Sequence, residues 1–153
     1  MAIIEFRGET RWLSNFAEAE VEWEGRKYPT TEHAYQAAKT TIEEEIEWVR
    51  TAPTPGKARR RGQKVTMRPD WDDIKISVMK NLLEQKFQIP EYRDLLLETG
   101  GHHLMEGNTW GDCFWGVDLK TGMGTNHLGR LLMDVRDKLI REKAKTEAIK
   151  LFE

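Results

Sequence analysis

Proline and glycine divide this chain into short pieces, and the length of those pieces limits what it can become. Pro53, Pro55, Pro69, Pro90 and the Gly100-Gly101 pair interrupt residues 30–140. Proline removes a helical donor and glycine ends a helix at little cost. Between the breaks, apolar residues recur every three or four positions, the period of a helix with one buried face. Trp71, Ile74, Val78, Leu82 and Leu83 do so in a segment that runs from an Asp70 cap to about Phe87. Leu128, Leu131, Leu132, Val135, Leu139 and Ile140 form one stripe of a final helix beginning at an Asn126 cap, beyond which a polar tail from Arg141 is expected to fray. Shorter helices are expected from the Thr30/Thr31 caps to near Thr40, over Ile42–Arg50, over Lys57–Lys64 and from Pro90 to Gly100. Strand is scarce. Residues 2–6 read as one short strand, Val21–Tyr28 as a hairpin around Gly25, Trp12–Phe16 as a loop and 102–117 as irregular. Without a βαβ rhythm, the pattern predicts a predominantly helical α+β fold.

At 153 residues with 39% apolar content, the chain supports one well-buried core. One domain over 1–153 is therefore expected, with its core at about 5–140. A net charge of -2 gives no general attraction to nucleic acid or to a membrane surface. No apolar run resembles a signal peptide or a membrane span, which predicts a cytoplasmic protein without membrane association. The single cysteine, Cys113, has no partner for a disulfide or a Cys-rich metal site and reads as a small buried residue. Six tryptophans are unusual, and several adjoin Gly, Asn or Asp in loop-like segments, which suits a flat ligand.

The helix at Thr30–Lys39 aligns an acid, an amide and an amine. At helical spacing Glu32, Gln36 and Lys39 share a sector of roughly 60°. Ala34, Ala37 and Ala38 flank them with little bulk, so the helix can press against neighbours and hold the row in a cleft. Two readings fit: a solvated Glu/Lys pair or a catalytic row. A second concentration spans Glu106–Gly116, with Glu106, Asn108, Trp110, Asp112 and Trp115 among three glycines. Such a loop can approach a ligand closely, and an indole can stack on a base or sugar face; a glycine-rich turn around a buried tryptophan fits as well. In the basic stretch Lys57–Lys64, Lys57 and Arg61 share a face and are the candidates for phosphate contacts. Gly122–Gly129 has the wrong spacing for a dinucleotide fingerprint and reads as a turn feeding the last helix. The histidines lack metal-site spacing, and neither Ser14 nor Ser77 lies in a nucleophile elbow.

Several pieces together resemble the NADAR, or YbiA-like, family: Leu13-Ser-Asn-Phe16, Tyr28-Pro-Thr-Thr-Glu-His-Ala-Tyr-Gln-Ala-Ala-Lys39, Asp70-Trp71 and Lys86-Phe87. Gly111-Asp112-Cys-Phe-Trp-Gly116 and Gly124-Thr-Asn-His-Leu-Gly129-Arg-Leu-Leu-Met133 complete the match, which covers residues from about 5 to 138. The resemblance implies a mostly helical domain with N-glycosidase chemistry, on early riboflavin-pathway intermediates or on ADP-ribosylated guanine. Both substrates break a C–N bond at an anomeric carbon. By motif position Glu32, Lys39 and Asp112 become the catalytic candidates. Asn15, Phe16, His33, Gln36, Lys57, Arg61, Trp71, Trp115 and Asn126 become the substrate-binding ones. The expected partner is a small phosphorylated nucleotide-like molecule, or ADP-ribosylated guanine within nucleic acid, and neither a metal nor a cofactor is expected. A module that binds NAD or ADP-ribose without cutting it is the alternative.

Overall fold

The computed structural model describes residues 1–153. In chain order its elements are β1 (Ala2–Ile3), a 3-10 helix (Gly8–Leu13), β2 (Glu18–Trp23), β3 (Arg26–Thr30), α1 (Thr31–Ala37), α2 (Glu43–Arg50) and α3 (Pro55–Gly62). There follow α4 (Trp71–Lys86), α5 (Pro90–Glu98), β4 (His103–Leu104), β5 (Gly107–Asn108), β6 (Val117–Asp118) and α6 (His127–Lys150). Helices dominate and the strands form three two-stranded pairs, the mostly helical α+β architecture expected. Two compact units make up the chain: Arg7–Lys86, and Met1–Phe6 together with Phe87–Glu153.

In the unit Arg7–Lys86, β2 and β3 form the expected antiparallel hairpin, with Val21 opposite Tyr28 and Trp23 opposite Arg26. Glu24 and Gly25 turn it with φ of 48° and 81°, the left-handed angles that a two-residue hairpin loop needs. The chain passes directly into α1, every residue of which is buried. Thr30 is its cap, the hydroxyl accepting the His33 N–H at 3.1 Å. α1 stops at Ala37, short of the expected Thr40. The Thr40 hydroxyl accepts the Ile42 N–H at 3.2 Å and donates to Glu45 at 3.1 Å, while the Lys39 carbonyl accepts the Arg68 N–H at 2.7 Å. These bonds turn the chain toward α2 and away from another helical turn. α3 begins at a Thr54 cap and lies close on α1 through Gly62: a Cβ there would fall on Gln36 Oε1 and within 2.8 Å of the Gln36 Cβ.

Two further expectations in this unit need correction. Trp12 and Leu13 belong to the 3-10 helix, with Leu13 fully buried, and only Ser14–Phe16 form a turn. Asp70 does not cap α4 with its carboxylate, which goes to Arg68 at 2.7 Å; its carbonyl accepts the Asp73 and Ile74 N–H groups. Along α4, Trp71, Val78, Leu82 and Leu83 are buried as their spacing predicts.

In the other unit, β1 pairs in parallel with β4 and β5 with β6, each over two residues. The strand expected at 2–6 is thus shorter, and the irregular stretch 102–117 contains β4 and β5 and reaches β6. α6 buries Leu128, Leu131, Leu132, Val135 and Leu139 as a stripe, leaving Ile140 outside it. The helix continues to Lys150, so the tail does not fray as expected; no glycine or proline follows Gly129 to interrupt it. Arg136 is buried on this helix, donating to the Thr99 hydroxyl at 2.9 Å and to the His102 carbonyl at 2.7 Å.

Candidate active site

Of the row read from the sequence, the acid and the amide meet on α1, and the amine lies beyond the end of the helix. Gln36 Nε2 donates to Glu32 Oε1 at 2.9 Å, one helical turn apart, and both side chains are buried. Lys39 lies two residues beyond the end of α1 and is half-buried, its Nζ 5.7 Å from the centre of the Tyr35 ring. Burial lowers its pKa below the ordinary lysine value. Glu32 opposes that shift, and the positive charges of Arg59 and Lys75 reinforce it. An amine in such surroundings gives up its proton more readily than a surface lysine does, as a nucleophilic amine must.

A polar shell surrounds this row. The Asn15 carbonyl accepts the Glu32 N–H at 3.1 Å, satisfying one of the donors left open at the start of α1. Asn15 Nδ2 reaches the Met79 sulfur at 3.5 Å, while Asn15 Oδ1, Thr31 Oγ1 and Gln36 Oε1 are buried without a hydrogen-bond partner. Three unsatisfied buried oxygens, two on α1 and one on the residue whose carbonyl holds the Glu32 N–H, are costly for a fold alone and suit a site that receives hydroxyls or N–H groups from a ligand. Phe16, next to Asn15, is half-buried. Trp71 is 3% exposed and packs tilted on Tyr35 at 5.1 Å, so its indole stiffens the wall behind the row and offers no open stacking face.

His33 serves the protein itself. Its Nδ1 lies 2.7 Å from the Thr30 hydroxyl and its Nε2 2.9 Å from the Ala52 carbonyl, so Nε2 carries the hydrogen and the hydroxyl donates to Nδ1. Burial lowers its pKa. A neutral imidazole thereby ties α1 to the segment between α2 and α3.

The basic candidates are redistributed. Arg61 donates to the Trp48 carbonyl at 2.7 Å and lies over the Trp48 ring at 5.3 Å, and Lys57 is exposed. The charges felt at Lys39 are those of Arg59 and Lys75, neither of which the sequence reading selected. Helical spacing tells which residues of α3 share a face; it does not tell which face meets α1. Lys86, seen in the sequence only as part of a motif, is the other residue missed. It is fully buried, its Nζ donates to the Ser14 carbonyl at 2.8 Å, and burial with the nearby charge of Arg11 lowers its pKa to about 7.

In the unit containing α6, the Asp112 carboxylate folds its own loop. One oxygen accepts the Phe114 N–H at 3.0 Å and the Trp115 N–H at 2.9 Å, and the Asp112 N–H bonds Asn108 Oδ1 at 2.9 Å. The turn so formed aims the Phe114 and Trp115 carbonyls at the His127 and Leu128 N–H groups, at 3.1 and 2.9 Å. That supplies what an N-cap side chain would supply. Asn126 accordingly does not cap α6: it is left-handed at φ 55°, donates to the Leu104 carbonyl at 3.0 Å and accepts the Glu106 N–H at 3.0 Å. Trp115 is half-buried, edge-on to Phe114 at 4.9 Å, and Trp110 is 58% exposed. Cys113 is exposed, against expectation, because its neighbours Asp112 and Phe114 are fixed by the turn and its side chain points outward. No group of three or more His, Cys, Asp or Glu side chains converges as a metal site.

A buried acid–amide pair near a partly buried amine, in a small helical α+β fold, places the chain among compact domains with polar side chains enclosed at one helix. The chain belongs to the NADAR domain family, whose pattern it matches over residues 5–140. It is similar to the N-glycosidase YbiA of Escherichia coli, with 40% identity over 134 residues, covering 86% of this chain and 82% of that one. It is also 34% identical over 126 residues to the chloroplastic riboflavin biosynthesis protein PYRR of Zea mays, covering 74% of this chain and 20% of that longer protein. The NMR structure of E. coli YbiA superposes with a TM-score of 0.82 at 35% identity, covering 94% of this chain and 86% of that one. No helix is long and apolar enough to cross a membrane.

Proposed function

We propose that this chain is an N-glycosidase that hydrolyses the C–N bond between a ribose anomeric carbon and a base nitrogen in a phosphorylated nucleotide-like substrate. The substrate is of the riboflavin-intermediate or the ADP-ribosyl-guanine type. One observation carries the reading: the buried Glu32–Gln36 pair stands beside an amine, Lys39, whose pKa burial lowers. The names of the relatives, N-glycosidase and riboflavin biosynthesis protein, support it.

As the C–N bond stretches, positive charge grows on the ribose carbon and the leaving nitrogen needs a proton. The Glu32 carboxylate stabilises that charge, and Gln36 holds the carboxylate in one orientation. Neutral Lys39 attacks the anomeric carbon as the C–N bond to the base breaks, and the proton that Nζ sheds on forming its new bond passes by way of Glu32 to the leaving nitrogen. Ring opening, with the second Nζ proton going to the ring oxygen, leaves the sugar as an imine on Nζ. Water hydrolyses the imine and releases both sugar and amine. Arg59 and Lys75, the latter also ion-paired with Asp72 at 3.2 Å, favour the neutral amine.

The test is incubation with ADP-ribosyl-guanosine and with a ribosylaminopyrimidine phosphate, with and without borohydride. Free base is expected from one of them, with a reduced adduct at Lys39. Glu32→Gln should lower kcat by about a hundredfold or more, the scale of a lost charge-stabilising group. Full activity in Lys39→Ala would eliminate the imine while leaving the role of Glu32. Binding of ADP-ribose with no cleavage of either substrate would make the protein a binding module.

A further inference from the structure

Lys86 is fully buried on α4 and its Nζ donates to the Ser14 carbonyl at 2.8 Å. The next residue, Asn15, places its carbonyl on the Glu32 N–H at 3.1 Å and leaves its own Oδ1 buried without a partner. Glu32 is the second residue of α1, so its N–H has no acceptor within the helix and depends on Asn15 for one. A continuous line of bonds therefore runs from the Lys86 amine through Ser14 and Asn15 to the backbone of Glu32. Ser14–Phe16 have no regular secondary structure; local bonds close the turn, the Ser14 carbonyl accepting the Ala17 N–H and the Ser14 hydroxyl the Phe16 N–H, each at 3.1 Å, and Lys86 is what ties that turn to α4.

Burying an ammonium group is expensive, and an apolar side chain of similar length would fill the same space at lower cost. Burial depresses the Lys86 pKa to about 7, the mark of that cost. A lysine retained in such a place trades stability for something else. We propose that Lys86 is a positioning residue for the glycosidase site: by anchoring the Ser14 carbonyl it fixes Asn15 against α1, and so fixes the backbone that carries Glu32. The proposal rests on the glycosidase reading for its effect on turnover, and on geometry alone for its effect on Glu32.

Lys86→Met removes the donor and keeps the bulk. At pH 7 this variant should melt at the same temperature as the parent or a few degrees higher. Its kcat should be at least tenfold lower, with KM within threefold. Lys86→Gln, which retains an N–H donor, should recover part of the lost kcat. A purely structural lysine gives the opposite pattern, a lower melting temperature with kcat unchanged, and that result would overturn the proposal, as would failure of both variants to fold. Hydrogen exchange measured without substrate reads the positioning separately: the Glu32 amide should exchange at least tenfold faster in Lys86→Met, with the Leu83 amide of α4 unchanged. An unchanged Glu32 amide sinks the proposal even if turnover falls. If the parent releases no base, the glycosidase reading fails alone and the Glu32 amide still decides the role of Lys86.

Discussion

Burial separates residues that look alike in the sequence. Glu32 and Gln36 were legible because four-residue spacing on a helix brings side chains together whatever surrounds the helix. Lys86 was not, since a lysine near a helix C-terminus is usually solvated and only the packing of α4 reveals that this one is enclosed. Its pKa of about 7 has a consequence for stability. Between pH 7 and pH 10 the unfolded chain keeps the Lys86 proton while the folded protein releases it, so stability rises with pH across that window. The rise is on the order of 4 kcal/mol at most. Urea unfolding at both pH values should show this gain in the parent and its loss in Lys86→Met; parallel behaviour of the two proteins would contradict it. Asp112 poses a similar choice between scaffold and acid. Asp112→Asn keeps an oxygen for the Phe114 and Trp115 N–H groups, so its melting temperature should stay within a few degrees of the parent, whereas Asp112→Ala should destabilise by about 1–3 kcal/mol. Loss of activity in the asparagine variant would assign the carboxylate to chemistry; retained activity would assign it to the loop.

Elements were legible where a local signal closes them. Thr30 and Thr54 cap α1 and α3 through their hydroxyls, Pro90 opens α5, and Glu24-Gly25 turns the hairpin. The misread boundaries depend on partners far along the chain. Asn126 looked like a cap, yet α6 takes its first acceptors from Phe114 and Trp115, which lie eleven or more residues earlier. Two-residue strands such as β1 and β4 are too short to show alternation, and each exists because the other is there. The contact of α3 with α1 through Gly62 is equally non-local. Gly62→Ala should push Gln36 off Glu32 and lower both stability, by about 1–3 kcal/mol, and kcat. Denaturant unfolding and steady-state assays on the same preparation check this; an alanine variant with parental stability and kcat would show that α3 shifts away without disturbing the row.

For the whole chain, composition and periodicity led to the right fold class, and the family pattern spans residues 5–140. Residues 141–153 lie outside that match and are exposed throughout. A chain ending at Ile140 should therefore keep its kcat within twofold and its melting temperature within a few degrees, since exposed helix beyond the packed stripe contributes little. A larger loss by calorimetry would mean that the last turns of α6 support the fold. The sequence misjudged one more residue, and its true position is useful. Cys113 is the single thiol in the chain and it faces outward from the loop held by Asp112, beside Trp115. A maleimide dye would attach there alone, without engineering. A dye there would report the arrival of a ligand at this loop as a change in brightness, so a response to nucleotide-like molecules would assign Trp115 to binding and a silent dye would leave the loop as scaffold.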